Sequence, residues 1–201
     1  MGKIITISRE FGSGGRELAR RLAEALGYDY YDKEVITEIS KHTDLSEDFV
    51  RNVMHSRPHS LYPITVGHSI SYSNDHSFHQ MQSVFAAQNE ILNGLADKSD
   101  CVIVGRCADY VLKDRNPYRI FVYADMEFKV NRCINRADNE ENLNEKQMKK
   151  HILAIDKQRA KFYNFYTSQK WGDKNYYDLM VNSSKTPIKE IAPAIAKMFK
   201  D

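Results

Sequence analysis

The chain has 201 residues, 42% of them hydrophobic and 28% charged, with a formal net charge of +2. That composition supplies an apolar core for one globular domain and excludes a disordered polar chain. Basic residues are scattered among acids rather than gathered in a stripe, which excludes a nucleic-acid-coating protein, and no run approaches the roughly 20 apolar residues of a membrane span. Cys101, Cys107 and Cys133 are odd in number and form no C-x-x-C pair, so reduced thiols are expected rather than a disulfide framework. Arg9 and Glu10 interrupt the one short apolar run near the start, no signal peptide is read, and a soluble cytoplasmic protein is expected.

In chain order, residues 3–8 (KIITIS) form a β-branched run suited to a buried strand, ending at a glycine-rich turn. Residues 16–27 follow with Leu18, Leu22, Ala25 and Leu26 at helical spacing and Gly27 as C-cap. A brief strand at 28–32 precedes helices at 33–41 and 46–54, with Asp32 read mainly as the N-cap of the first and Ser46 as the N-cap of the second. Residues 55–78 are rich in His, Ser, Pro and Tyr without a period and read as a surface insert. A helix at 79–98 leads to strands at 101–104 (CVIV), 118–123 (YRIFVY) and 177–181 (YDLMV), separated by helices at 126–137 and 144–166. A last helix at 187–199 starts with Pro187 at N1 after Thr186. Strands alternating with helices predict an α/β fold with a mostly parallel sheet covered on both faces.

The turn Arg9-Glu10-Phe11-Gly12-Ser13-Gly14-Gly15-Arg16 carries the main functional signal. Glycines let backbone amides converge, and the following helix aims its N-terminal N–H groups and partial positive charge at the same point, which suits phosphate. Arg9 and Arg16 flank the turn as candidate phosphate partners. A tight strand-to-helix connection without a ligand is the plainer alternative. An ordinary P-loop reads G-x-x-x-x-G-K-[ST]. Superposing its last glycine on Gly14 puts Gly15 at the lysine position and Arg16 at the hydroxyl position, so both chemical side chains are missing. A lysine at 15 is expected to disturb the turn, because Arg16 fills that volume.

Further candidates follow from placement. Arg106 lies just past the strand at 101–104, where open α/β sheets face their ligand. Arg132 and Arg136 are four apart on a helix, the spacing that lets them share a face. Asp156 and Arg159 are three apart and would also form a plain exposed pair with little effect on stability. His55, His59, His68, His76 and His79 lack ligand spacing and read as loop residues rather than a metal site. Tyr163, Tyr166 and Trp171 would stack a base or, more simply, pack in the core.

The opening ITISREFGSGGRELARRLAEALGYDYYDKEVI resembles that of the cytidylate kinase-like family, and VIVGRCADYVL, RIFVYADMEFKVNRCINR and AIDKQRAKFYNFYTSQKWGDKNYYDLMVNSS are similar to its later segments. The resemblance implies a three-layer α/β/α P-loop fold, one domain over 1–201, with a helical acceptor-binding insert near 33–98 and a lid near 132–160. It implies ATP and Mg²⁺, and transfer of a phosphoryl group to a CMP-like nucleoside monophosphate or other small acceptor; the missing lysine and hydroxyl leave a catalytically weak nucleotide-binding module as the alternative. On this resemblance residues 9–17, including Glu10, Phe11, Ser13 and Glu17, hold nucleotide phosphates. Arg16, Arg132, Arg136, Asp156 and Arg159 serve transfer, and Asp32, Arg106 and Asp109 meet the acceptor, Asp109 standing in for an Asp that the family carries where this chain has Cys107. The expected ligand is a small nucleotide or phosphorylated molecule, not a nucleic acid or a membrane.

Overall fold

The computed structural model describes residues 2–55, 75–136 and 143–200. The five strands are β1 (Ile4–Arg9), β2 (Asp29–Tyr31), β3 (Cys101–Val104), β4 (Tyr118–Tyr123) and β5 (Leu179–Asn182). They pair in the order β2-β3-β1-β4-β5, and every pairing is parallel. The helices are α1 (Gly15–Leu26), α2 (Glu34–Thr43), α3 (Glu47–His55), α4 (Asp75–Lys98), α5 (Ala108–Val111), α6 (Met126–Ile134), α7 (Glu145–Thr167) and α8 (Ile188–Ala196).

The two-residue period of the strands divides the core into two layers. Ile5 and Ile7 of β1, Val102 and Val104 of β3, and Ile120 and Val122 of β4 point to one face, where Leu18 and Leu22 of α1 and Ile188, Ala192 and Ile195 of α8 cover them. Ile4, Cys101 and Ile103 point to the other, against Val35 and Ile39 of α2, Val50 of α3, Leu92 of α4 and Phe162 of α7. Burial on both faces explains why β3 reads as an unbroken apolar run and why β1 carries Ile4, Ile5 and Ile7 with the buried hydroxyl residues Thr6 and Ser8 between and after them; each fully buried Ile contributes about 2 kcal/mol. A smaller cluster joins Val130 of α6 to Met148 and Ile152 of α7 and reaches Phe11 of the glycine turn.

Helix ends follow local chemistry. Gly27 closes α1 with φ +71°, its N–H donating to the Ala23 carbonyl. Asn144 and Gln147 form a reciprocal capping box on α7, and the Phe49 N–H donates to Ser46 Oγ at the start of α3. Two caps are corrected. α2 begins one residue later than expected, with Lys33 at its cap, because the Asp32 carboxylate is drawn to Arg16 instead of its own helix. Pro187 occupies the N-cap of α8 with ψ 137° rather than its first helical turn. β5 starts at Leu179 because Asp178 turns to Arg119, accepting its backbone and guanidinium N–H groups. Most of the expected His-rich insert, including His59 and His68, and residues 137–142 of the expected lid lie outside the described residues. No helix among the described residues is long and apolar enough to cross a membrane.

Candidate functional site

The turn after β1 leaves the C-terminal edge of the central strand, the place where parallel sheets gather ligands. Gly12 and Gly14 hold φ of +78° and +80°, a region that disfavours side chains. Packing makes the same demand: a Cβ on Gly12 would stand 2.9 Å from Cys133 Sγ and 3.0 Å from the Lys129 carbonyl oxygen. Protein groups hold the turn in several places. Glu10 N–H donates to the Val122 carbonyl at 2.9 Å, the Ser13 hydroxyl to the Glu10 carbonyl at 2.8 Å, and the Ser183 hydroxyl to the Ser13 carbonyl at 2.7 Å. The Phe11 N–H is taken by Asp156 Oδ1 at 2.6 Å. The amides of Gly14, Gly15 and Arg16 find no protein acceptor among the described residues, so the first turn of α1 leaves N–H groups and its positive dipole end unmet by protein, the arrangement that suits an anion.

A cavity of about 330 Å³ opens on this turn, walled by Arg9, Arg16, Arg132, Arg136 and Arg159 with Glu10 and Glu17. Arg132 and Arg136 do converge, and they do so on Glu17: its Oε2 accepts from Arg132 at 2.6 Å and from Arg136 at 2.8 Å, while Oε1 accepts from Arg21 at 3.0 Å. Burial alone would raise the Glu17 carboxyl, but those guanidinium hydrogen bonds outweigh it and bring its pKa down to about 2. Phe11 lines the same cavity, with the His151 ring edge-on at 5.5 Å and the Arg159 guanidinium 5.6 Å from its centroid.

On the other side of Arg9 and Arg16 lies a second cavity of about 100 Å³, lined by Ser8, Arg9, Arg16, Arg106, Arg159, Phe162, Tyr163 and Trp171 among others. Arg106 reaches it through three successive left-handed residues, Gly105 at φ +72°, Arg106 at +60° and Cys107 at +50°. Non-glycine residues resist that conformation, and such strain collects at functional sites. The fully buried Gln88 supports it, donating to the Arg106 carbonyl at 3.0 Å. Asp32 supplies the carboxylate, 2.7 Å from Arg16 Nε and 3.9 Å from Arg9. Burial, then repulsion from Arg159 with a further push from Arg16 and Arg106, lowers Arg9 to about 9, against the attraction of Asp32. Burial likewise brings Arg106 down to about 10. A guanidinium cluster that costs this much charge is a place where an anion is stabilising.

The remaining sequence candidates fall as follows. Asp156 and Arg159 pair at 3.7 Å, but the contact is largely buried rather than exposed, and Arg159 also donates to the Arg9 carbonyl at 3.0 Å. Asp109 is buried away from both cavity linings, its Oδ2 accepting the Tyr163 hydroxyl at 2.6 Å. Tyr166 packs among Phe85, Phe162 and Phe165, and Trp171 packs edge-on against Phe121. The side chains of His55, His59, His68, His76 and His79 lie outside the described residues, and no group of three metal-ligating side chains occurs among the described ones.

Sequence reading passed over Lys129. Its ammonium is buried beside the turn, 2.9 Å from Glu10 and 3.5 Å from Asp156, and so rivets the glycine turn, α6 and α7 together. It also passed over Ser183 and a third cavity of about 360 Å³ lined by residues 183–189 with Glu17, Arg21, Phe128 and Arg132. A lysine on a helix reads as solvated, and a loop of Ser, Lys and Thr carries no motif, so neither gave a signal in one dimension.

Solved structures share this architecture. An uncharacterized protein from Eubacterium ventriosum superposes with a TM-score of 0.71 at 28% identity, covering 98% of this chain and 97% of that one. A shikimate kinase from Bacteroides thetaiotaomicron superposes with a TM-score of 0.57 at 13% identity over 98% of both chains. One from Acinetobacter baumannii, solved with shikimate, gives 0.51 at 15% identity over 99% of this chain and 93% of that one. These last two likenesses establish the fold, a three-layer P-loop kinase fold. No curated protein matches the sequence. The model of the cytidylate kinase-like family matches residues 4–185, and the chain belongs to that family.

Proposed function

We propose that this protein holds the polyphosphate of a nucleoside triphosphate, ATP, on the glycine turn and passes its terminal phosphoryl group to a small acceptor at the neighbouring arginine cavity, with a CMP-like nucleoside monophosphate as the first acceptor to test. The observation that carries the reading is the shared wall: Arg9, Arg16 and Arg159 line both cavities, so charge moving from one to the other stays within reach of the same guanidiniums. Phosphoryl transfer needs positioning and charge stabilisation more than covalent chemistry. The Gly14, Gly15 and Arg16 amides would hold donor oxygens. Arg132 and Arg136, reaching Glu17 from the α6 side, would neutralise the departing phosphate, and Arg106 would hold the acceptor. The cavity along residues 183–189, which shares Glu17 and Arg132 with the main one, would take the donor's nucleoside.

Phosphoryl transfer from ATP ordinarily uses Mg²⁺ to bridge the donor phosphates. The residues here do not fit a protein-held magnesium ion: position 16 is Arg, and the Asp32, Glu17, Glu10 and Asp156 carboxylates are each engaged by basic side chains. No step is therefore assigned to the metal.

The test is a product assay with γ-labelled ATP against CMP, other nucleoside monophosphates and small hydroxylated acids. Label is expected in one acceptor, and Arg159→Ala is expected to lower kcat/KM by about 100-fold. A second reading, a binding module without turnover, is favoured by Gly15, where a Cβ would collide with the Arg9 side chain and no P-loop lysine fits. Nucleotide binding by calorimetry with no labelled product would select it.

A further inference from the structure

Phosphate-binding turns ordinarily share their ligand with a divalent cation, which takes a hydroxyl or carboxylate oxygen from the protein and fills its octahedron with water and phosphate. Around this turn each of the carboxylates such an ion would need already has a basic partner. Arg16 stands where the motif has Ser or Thr, and it sits on Asp32. Glu17 accepts from Arg21, Arg132 and Arg136. Glu10 Oε2 accepts from the Ala124 N–H and from Lys129. Asp156 accepts from the Phe11 N–H and faces Lys129 and Arg159. The Ser13 hydroxyl is turned to the Glu10 carbonyl.

Cations, by contrast, are in excess. Five arginines wall the main cavity against Glu10 and Glu17, and Lys129 already balances Glu10. Arg9 Nε is buried without a hydrogen-bond acceptor among the described residues. A free triphosphate carries about four negative charges and its magnesium chelate about two, so a net positive, partly desolvated cavity favours the free anion. Guanidinium forks also match phosphate oxygens two at a time, the same oxygens a chelated ion would occupy.

We infer that the turn takes its polyphosphate as the metal-free anion, and that magnesium on the ligand opposes binding. This rests on the polyphosphate reading of the turn proposed above. By linkage, a protein that prefers the free anion lowers the affinity of bound ATP for magnesium by the same factor.

Calorimetric titration of the full chain with ATP, in excess EDTA and in excess magnesium at matched ionic strength, tests this, with inorganic tripolyphosphate as a parallel probe. Metal-free ATP is expected to bind about tenfold more tightly than the chelate. Equal or tighter binding in magnesium overturns the inference. Tripolyphosphate binding more tightly in EDTA than in magnesium, while ATP fails in both, upholds the metal-free anion site and sinks the nucleotide reading. Absence of binding by either anion in either buffer overturns both.

Discussion

Arg16 Nε and Asp32 Oδ2 stand 2.7 Å apart and tie the first turn of α1 to the residue after β2, but the two partners are unequal: the Arg16 side chain is 52% exposed and that of Asp32 only 7%. Asp32 also faces Arg9, so its loss leaves a buried guanidinium without a counter-charge among the described carboxylates. Asp32→Asn is expected to destabilise by about 2 kcal/mol, whereas Arg16→Ala, on the exposed side of the pair, is expected to cost less than about 1 kcal/mol. Sulfate should recover much of the Asp32→Asn loss by supplying the missing anion. Thermal unfolding in chloride and in sulfate checks this; a sulfate gain no larger than that of the parent chain refutes it.

Gly15→Lys, which would rebuild the motif on paper, is expected to damage the turn. The obstacle is Arg9, whose Cβ and Cγ occupy the space a side chain at 15 would enter, rather than Arg16 as the spacing alone suggested. Overpacking there is expected to cost about 1–3 kcal/mol and to weaken nucleotide binding. Tighter ATP binding by the variant would contradict the geometry.

Lys129→Met removes a buried ammonium and strands Glu10 and Asp156 beside the turn. Glu10 keeps some access to water, so a loss of about 2–4 kcal/mol is expected in urea unfolding, near the low end for breaking a buried pair. The companion change Lys129→Met with Glu10→Gln should cost less than the sum of the two singles, and strict additivity would show that the contact is not coupled.

Glu17 supplies a pH test. Its folded pKa of about 2 lies below the ordinary 4.5, so its contribution is present above the ordinary value and drains away as acidity rises toward the folded one. Glu17→Gln should cost about 2 kcal/mol at about pH 7, and the gap from the parent should narrow by about pH 3. A gap that is constant across that window would show that the arginines on Glu17 contribute nothing to its ionisation.

The layers of the fold were legible because the chain writes them in simple periods. KIITIS reads as a β-branched run and CVIV as an apolar one, and both strands are buried on both faces; α1 repeats its leucines at four; Gly12 and Gly14 mark a turn that other residues resist. The glycine turn and Arg106 could be nominated on placement alone, and Arg159 on the family resemblance. What could not be read was the pairing of charges. Glu17 gathers arginines 4, 115 and 119 residues away along the chain, and Lys129 meets Glu10 at a separation of 119 residues and Asp156 at 27. Such matches depend on how α6 and α7 cross the turn, which no local period records. Asp32 shows the same limit: locally it is a good cap, and a guanidinium on another element outbids its own helix.

Gly105 has a consequence for variation in this protein. A Cβ there would overlap Nη1 of Arg9, so the two positions share one volume at the ends of adjacent strands. Adding a single methyl at 105 must therefore push aside the tip of a charged side chain from another part of the chain, on a backbone at φ +72° that already resists a Cβ, so a substitution touching no anion-contacting side chain would still re-aim the arginine cluster. Positions 9 and 105 are consequently one packing unit: bulk at the second is accommodated only by moving the guanidinium of the first.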